Sequence, residues 1–321
     1  NFDSPTDEFS DETWHRVFGP NYYAFFEGEV LYLALDNVHW EHFPEEKQKE
    51  TGRQGGYIGL LGDTQLKWAE QVLSNQPVDR LVVVMTHIPL EREWGGETQD
   101  REKLYDLLEG RKVLALAAHT HTQEHVFIAE HAEPMSRGEI HQLINVTVCG
   151  AWWKGMRDER GIPIAITSDG VENGYTIMEI HGSSYKTKYK PSSMDWSHQM
   201  RIESPTGTVE EGEDEIIVNI FAASSRSHVA YRIDDGKPQA MERRVTEDPF
   251  VRKLWEERDP DLHKSAQEPN GRTTHLWFAK LPEDLEPGTH EVTIIEKDIY
   301  GNTHRASRIF VIPEKESPRS E

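Results

Sequence analysis

The sequence predicts an α/β domain built on parallel strands, followed by an all-β sandwich. Three observations predict this. Apolar runs alternate with helical stretches over the first 120 residues, the texture turns to short β segments beyond residue 140, and a Pro/Gly and acidic stretch interrupts the chain near residues 200–214.

Val30 to Leu35 is an apolar run with branched and aromatic members that stops at the turn pair Asp36-Asn37, and it reads as a buried strand. Leu66, Ala69, Val72 and Leu73 recur at helical spacing between Asp63, a cap residue, and the helix-stopping Asn75 and Pro77. Leu81 to Met85 is a second buried strand. Leu104, Leu107 and Leu108, ahead of Gly110, mark a second helix, and Val113 to Ala118 makes a third strand. Strand, helix, strand, helix, strand is the pattern of parallel pairing. Right-handed crossovers bring the C-terminal ends of such strands to one edge, where ligands bind. Asp36, His87, His119 and His121 each follow one of these strands.

Gln142 to Val148, Tyr175 to Ile180 and Tyr185 to Lys190 read as strands, the last two joined by a turn at Gly182-Ser183, and they complete the first domain. The expected domains are therefore 1–200 and 201–321. In the second, Ile216 to Phe221, His228 to Ile233, His275 to Leu281, His290 to Ile295 and Ser307 to Ile312 alternate as strands of an antiparallel sandwich. Glu242 to Gly271 reads as an irregular surface insertion.

The 321 residues include nine Trp, ten Tyr and eleven Phe, enough bulky apolar material for two cores. Fifty-seven acidic against 35 basic residues give a formal charge of −22, which argues against bulk nucleic acid as a partner. Cys149 is the only cysteine, so no intramolecular disulfide and no thiolate metal cluster can form. No run reaches the roughly 18 apolar residues of a transmembrane helix. The chain begins at Asn1 and not at Met, and is expected to be a processed product or a fragment.

His119-Thr120-His121-Thr122 sets two imidazoles two positions apart at a strand end, and neutral imidazole suits zinc, iron or manganese. His-x-His alone says little among sixteen histidines. His87, in Met85-Thr86-His87-Ile88-Pro89 at the end of a neighbouring strand, strengthens it. A metallo-β-lactamase would continue His-x-His with an aspartate and a histidine. Gln123 and Glu124 stand there instead. Asp36 fits a turn role better than a ligand role.

Met85 to Leu90 and Ala118 to Thr122 resemble the last two metal-binding motifs of the calcineurin-like metallophosphoesterases. Phe18 to Phe25, Leu35 to Asn37, Gln65 to Trp68, Gly150 to Gly155 and Asp169 to Tyr175 are similar to the bacterial subgroup with a dedicated C-terminal domain. The resemblance implies a two-sheet α/β metallophosphoesterase sandwich, of which this chain is the C-terminal part. It also implies a binuclear centre of divalent or trivalent Mn, Fe or Zn, with His87 and His119 on the second metal and His121 on the first. The family's Asp-x-His, bridging aspartate and Gly-Asn-His occur nowhere before His87. They are expected upstream of Asn1 together with the catalytic residues, so the fragment alone is expected to be inactive. Ala118 replaces the family's usual glycine.

The activity this implies is hydrolysis of a small phosphate mono- or diester by a two-metal-activated hydroxide. Trp152, Trp153, His141, Asp169 and Tyr175 are the candidates for the substrate side, with His125 and His131 as lesser candidates for ligands. The subgroup is commonly exported. The alternative is a non-catalytic binding or interaction protein in which the β-sandwich does the work and the strand-end histidines are remnants.

Overall fold

The computed structural model describes residues 11–128, 139–150, 156–158, 160–210, 212–259, 261 and 271–314. They form two compact units that interleave along the chain: 1–120, 125–145 and 179–186 in one, 121–124, 146–178 and 187–321 in the other.

In the first unit α1 (Glu12–Phe18) precedes β1 (Tyr23–Glu27) and β2 (Val30–Ala34), an antiparallel pair. A ribbon of β3 (Val38–His42) and β4 (Gly55–Gly59) brackets α2 (Glu45–Thr51) and leads into α3 (Asp63–Ser74). Then come β5 (Leu81–Met85), the short ribbon β6 (Glu91–Arg92) and β7 (Gly95–Gly96), α4 (Arg101–Leu108), β8 (Lys112–Ala117), β9 (Glu124–Phe127) and β10 (Ile140–Ile144). Six of the strands make one sheet in the order β1-β2-β5-β8-β10-β9, and β2, β5, β8 and β10 pair in parallel.

Every strand and helix expected between residues 30 and 118 forms. The segment expected at Gln142 starts two residues earlier and becomes a fourth parallel strand. Val82, Val83 and Val84 are fully buried, as befits a central parallel strand covered on both faces. Leu66 and Leu73 of α3 and Leu104, Tyr105 and Leu108 of α4 pack on Leu33, Val84 and Ala115, each fully buried aliphatic side chain contributing roughly 1.5–3 kcal/mol. The register aligns Met85 with Leu116, and Leu116 with Leu143. The residues after β5 and β8 therefore leave the sheet side by side.

β11 (Gly174–His181) and β12 (Ser184–Pro191) form a hairpin whose turn at Gly182 and flanking residues 179–186 belong to the first unit, while its base belongs to the second. The rest of the second unit comprises β13 (Met200–Ser204), β14 (Gly207–Thr208), β15 (Glu215–Ile220), β16 (His228–Ile233), β17 (Gln239–Ala240), β18 (Glu242–Thr246), α5 (Pro249–Glu257), β19 (Thr273–Lys280), β20 (Gly288–Lys297) and β21 (Thr303–Ile312). A four-stranded sheet, β13-β15-β19-β18, and a five-stranded sheet, β14-β21-β20-β16-β17, share one core. Ile216, Val218, Ile220 and Trp277 come from the first, and Val229, Val292, Ile294 and Phe310 from the second, so alternate residues of each strand face inward.

The expectation of an irregular insertion from Glu242 to Gly271 is corrected. It contains β18, paired with β19, and α5, whose first turn is capped by the Asp248 carboxylate accepting from Val251 N–H, with Pro249 opening the helix. Among the described residues no helix is long and apolar enough to cross a membrane.

Candidate functional site

The backbone brings two of the sequence-selected histidines together. Pairing of β5 with β8 continues past both strand ends: Thr86 N–H donates to Leu116 O at 3.0 Å, and Ala118 N–H donates to His87 O at 3.0 Å. His87 Nε2 then lies 3.0 Å from His119 Nδ1, with the rings 73° apart.

The His87 loop is clamped from behind by two polar side chains that the sequence reading did not single out. Asn37 is fully buried: its Oδ1 accepts from His87 N–H and Ile88 N–H, both at 3.1 Å, and its Nδ2 donates to Ile88 O and to Thr98 Oγ1. Gln142 is equally buried, accepting from Leu90 N–H at 2.7 Å and donating to Glu91 O at 2.5 Å. Asp36 has a turn role, with its Oδ1 accepting from Val38 N–H. Burial, only partly offset by that bond, raises its carboxyl above the usual carboxylate range.

The His-x-His segment is a tight exit. His119 (φ 66°) and His121 (φ 55°) both adopt the left-handed conformation that L side chains disfavour, and Thr120 N–H donates to Ala118 O at 2.7 Å. Within the second unit, His121 Nδ1 is 3.1 Å from Gly150 O, an acceptor only. Nδ1 is therefore the donor in this contact. Two residues on, Gln123 Oε1 accepts from Val146 N–H at 2.9 Å, and Gln123 N–H donates to Asp169 Oδ2 at 2.8 Å.

The remaining candidates occupy different settings. Asp169 is 1% exposed and holds Gln123 N–H, Thr167 Oγ1–H and His275, so its oxygens face protein. Burial alone would raise its carboxyl. The hydrogen bond and charge of His275, with the other two donors, outweigh that and hold it below the usual carboxylate range. His141, on β10, is buried and stacked with Phe127 and His125. Its Nε2 lies 2.9 Å from His125 Nδ1, and its Nδ1 2.8 Å from the Tyr185 hydroxyl. Tyr175 is 44% exposed on β11. Trp152, Trp153 and His131 lie outside the described residues.

Comparisons with known proteins bear on the second half of the chain. Residues 143–304 match the family described as C terminal of Calcineurin-like phosphoesterase. No curated protein matches the chain. Among solved structures it is similar to CopC from Methylosinus trichosporium OB3b, at 12% identity over 36% of this chain and 91% of that one, with a TM-score of 0.20.

Proposed function

The chain belongs to the calcineurin-like phosphoesterases that carry this C-terminal domain, and from that premise we propose that it serves the metal-dependent hydrolysis of a small phosphate mono- or diester. The observation that carries the reading is the approach of His87 Nε2 to His119 Nδ1 at the exits of neighbouring parallel strands. Phosphoesterases of this family generally use metal ions. Two nitrogens 3.0 Å apart suit neighbouring ligand positions on an ion bound at about 2.1 Å.

The donors are right in kind but too few. Among the described residues no group of three or more His, Cys, Asp or Glu side chains could hold an ion. In this reading His87 and His119 bind a Mn, Fe or Zn ion, His121 is a metal donor by the family resemblance alone, and the carboxylates lie outside the described residues. The chain's own work is to hold ring nitrogens in place. Asn37 fixes the backbone of His87, and Gly150 O accepts from His121 Nδ1 and so orients that ring. The net charge of −22 favours a small phosphorylated substrate over a polyanion.

Titration of the full natural chain with Zn²⁺ or Mn²⁺ in a calorimeter tests the reading. His87→Ala and His119→Ala are each expected to weaken binding by about 10- to 100-fold or more. Equal affinity in wild type and both variants contradicts the assignment. Absence of metal uptake by every form favours the non-catalytic binding module instead.

A further inference from the structure

We infer that the C-terminal sandwich positions His121: His275 and Asp169 are positioning residues that hold the segment following it through the backbone amide of Gln123. The functional meaning rests on the reading of His121 as a metal donor. The tether itself rests on geometry alone.

The connection lies wholly within the second unit. Gln123 N–H donates to Asp169 Oδ2 at 2.8 Å, and His275 Nε2, near the start of sandwich strand β19, lies 3.0 Å from the same oxygen. Thr167 Oγ1–H donates to the other oxygen, Oδ1, at 2.5 Å. His275 Nδ1 lies 2.8 Å from Asn219 Oδ1. Asn219 Nδ2 in turn donates to Asp169 O at 3.0 Å and to Asp248 Oδ2 at 2.7 Å. The orientation of the Asn219 amide follows from those two acceptors, and both ring nitrogens of His275 face acceptors. Asp169, Asn219, Asp248 and His275 are all at most 1% exposed. Gly170 (φ 83°) lets Asp248 approach, because a Cβ there would collide with the Asp248 carboxylate.

What this arrangement does follows from the backbone two residues earlier. Left-handed conformations at His119 and His121 are unfavourable for L side chains and persist only where the surroundings over-determine them. A charge-assisted bond from a dry carboxylate to the Gln123 amide is such a constraint, and Gln123 Oε1 on Val146 N–H fixes the side chain of the same residue. Loss of His275 leaves the Asp169 carboxylate without its largest hydrogen-bonding and charge partner, and loosens the amide that Asp169 holds.

Hydrogen exchange of the Gln123 amide and Zn²⁺ affinity, measured together, test the inference. In the unaltered protein the amide is expected to be strongly protected, and exchange at a free-loop rate would overturn the inference without any variant. His275→Leu is expected to speed Gln123 exchange and lower Zn²⁺ affinity by about 10- to 100-fold, while His275→Gln, which retains a donor toward Asp169, restores both in part. Asp169→Asn, nearly isosteric, supplies the same comparison if His275→Leu does not fold. His290→Ala, elsewhere in the sandwich, is expected to change neither quantity. A folded His275→Leu with unchanged Gln123 exchange and Zn²⁺ affinity overturns the inference. So does equal acceleration of the β15 amides, which marks general loosening. If His119→Ala leaves Zn²⁺ affinity unchanged, the metal reading fails while Gln123 exchange still decides the tether.

Discussion

Arg201 is enclosed by three carboxylates: its Nε donates to Glu203 at 2.7 Å, and its terminal nitrogens reach Glu172 at 3.4 Å and Asp248 at 3.3 Å. Of the three, Asp248 is fully buried, and Glu203 and Glu172 are partly buried. Burial dominates at Glu203 and, against the pull of Arg201, pushes its carboxyl up to about 7 from an ordinary 4.5. The sign follows from linkage. A folded-state pKa above the unfolded one gives stability that is complete below about 4.5 and lost as pH rises through about 7. Glu203→Gln is expected to flatten the fall in thermal midpoint between pH 5 and pH 8, and an unchanged slope contradicts the assignment. At this scale the sequence was informative about His87, His119 and His121, because a polar residue directly after an apolar strand stands out. It was silent on Asn37, Gln142 and His275. Asn37 follows a turn aspartate, Gln142 sits inside an apolar strand and His275 opens one, and nothing local tells a buried hydrogen-bonding side chain from an exposed one.

The β5 and β8 exits and the Asn37 clamp belong to one unit. Asn37 satisfies two backbone amides and one backbone carbonyl of the His87 loop, and each is left without that partner in Asn37→Ala. A buried group so orphaned costs about 1–3 kcal/mol, and partial relaxation brings the expected total loss to about 2–4 kcal/mol in denaturant titration. The bond between His87 and His119 is expected to weaken with it, seen as a change in their ring ¹⁵N shifts. Wild-type shifts in a folded Asn37→Ala show that the clamp does not position His87. Parallel strands and their helices were readable because fully apolar runs of five or six residues and a 3.6-residue period are unambiguous when they alternate. β18 and α5 were not, since Glu242 to Glu257 is charged throughout.

Across the whole molecule, composition placed a domain boundary near residue 200, whereas the packing runs across that point. Val146, Val171 and Tyr189 share a cluster with Phe221, and Asp169 depends on Asn219 and His275. Residues 1–200 alone are therefore expected to lose amide protection over residues 167–174, and protection equal to that of the full chain contradicts this. Shared cores and shared buried polar groups explain why no linker separates the histidine loop from the sandwich: the same unit supplies the ring nitrogen of His121 and the frame that holds it. The central claim is that the strand-end histidines serve phosphate ester hydrolysis. Turnover of an aryl phosphate ester, monoester and diester both tried, by the full natural chain at saturating metal tests it most directly. The account predicts that His119→Ala and His121→Ala each lose at least about 100-fold, roughly 2.7 kcal/mol of transition-state stabilisation, while His290→Ala keeps wild-type turnover; wild-type turnover in His119→Ala contradicts it.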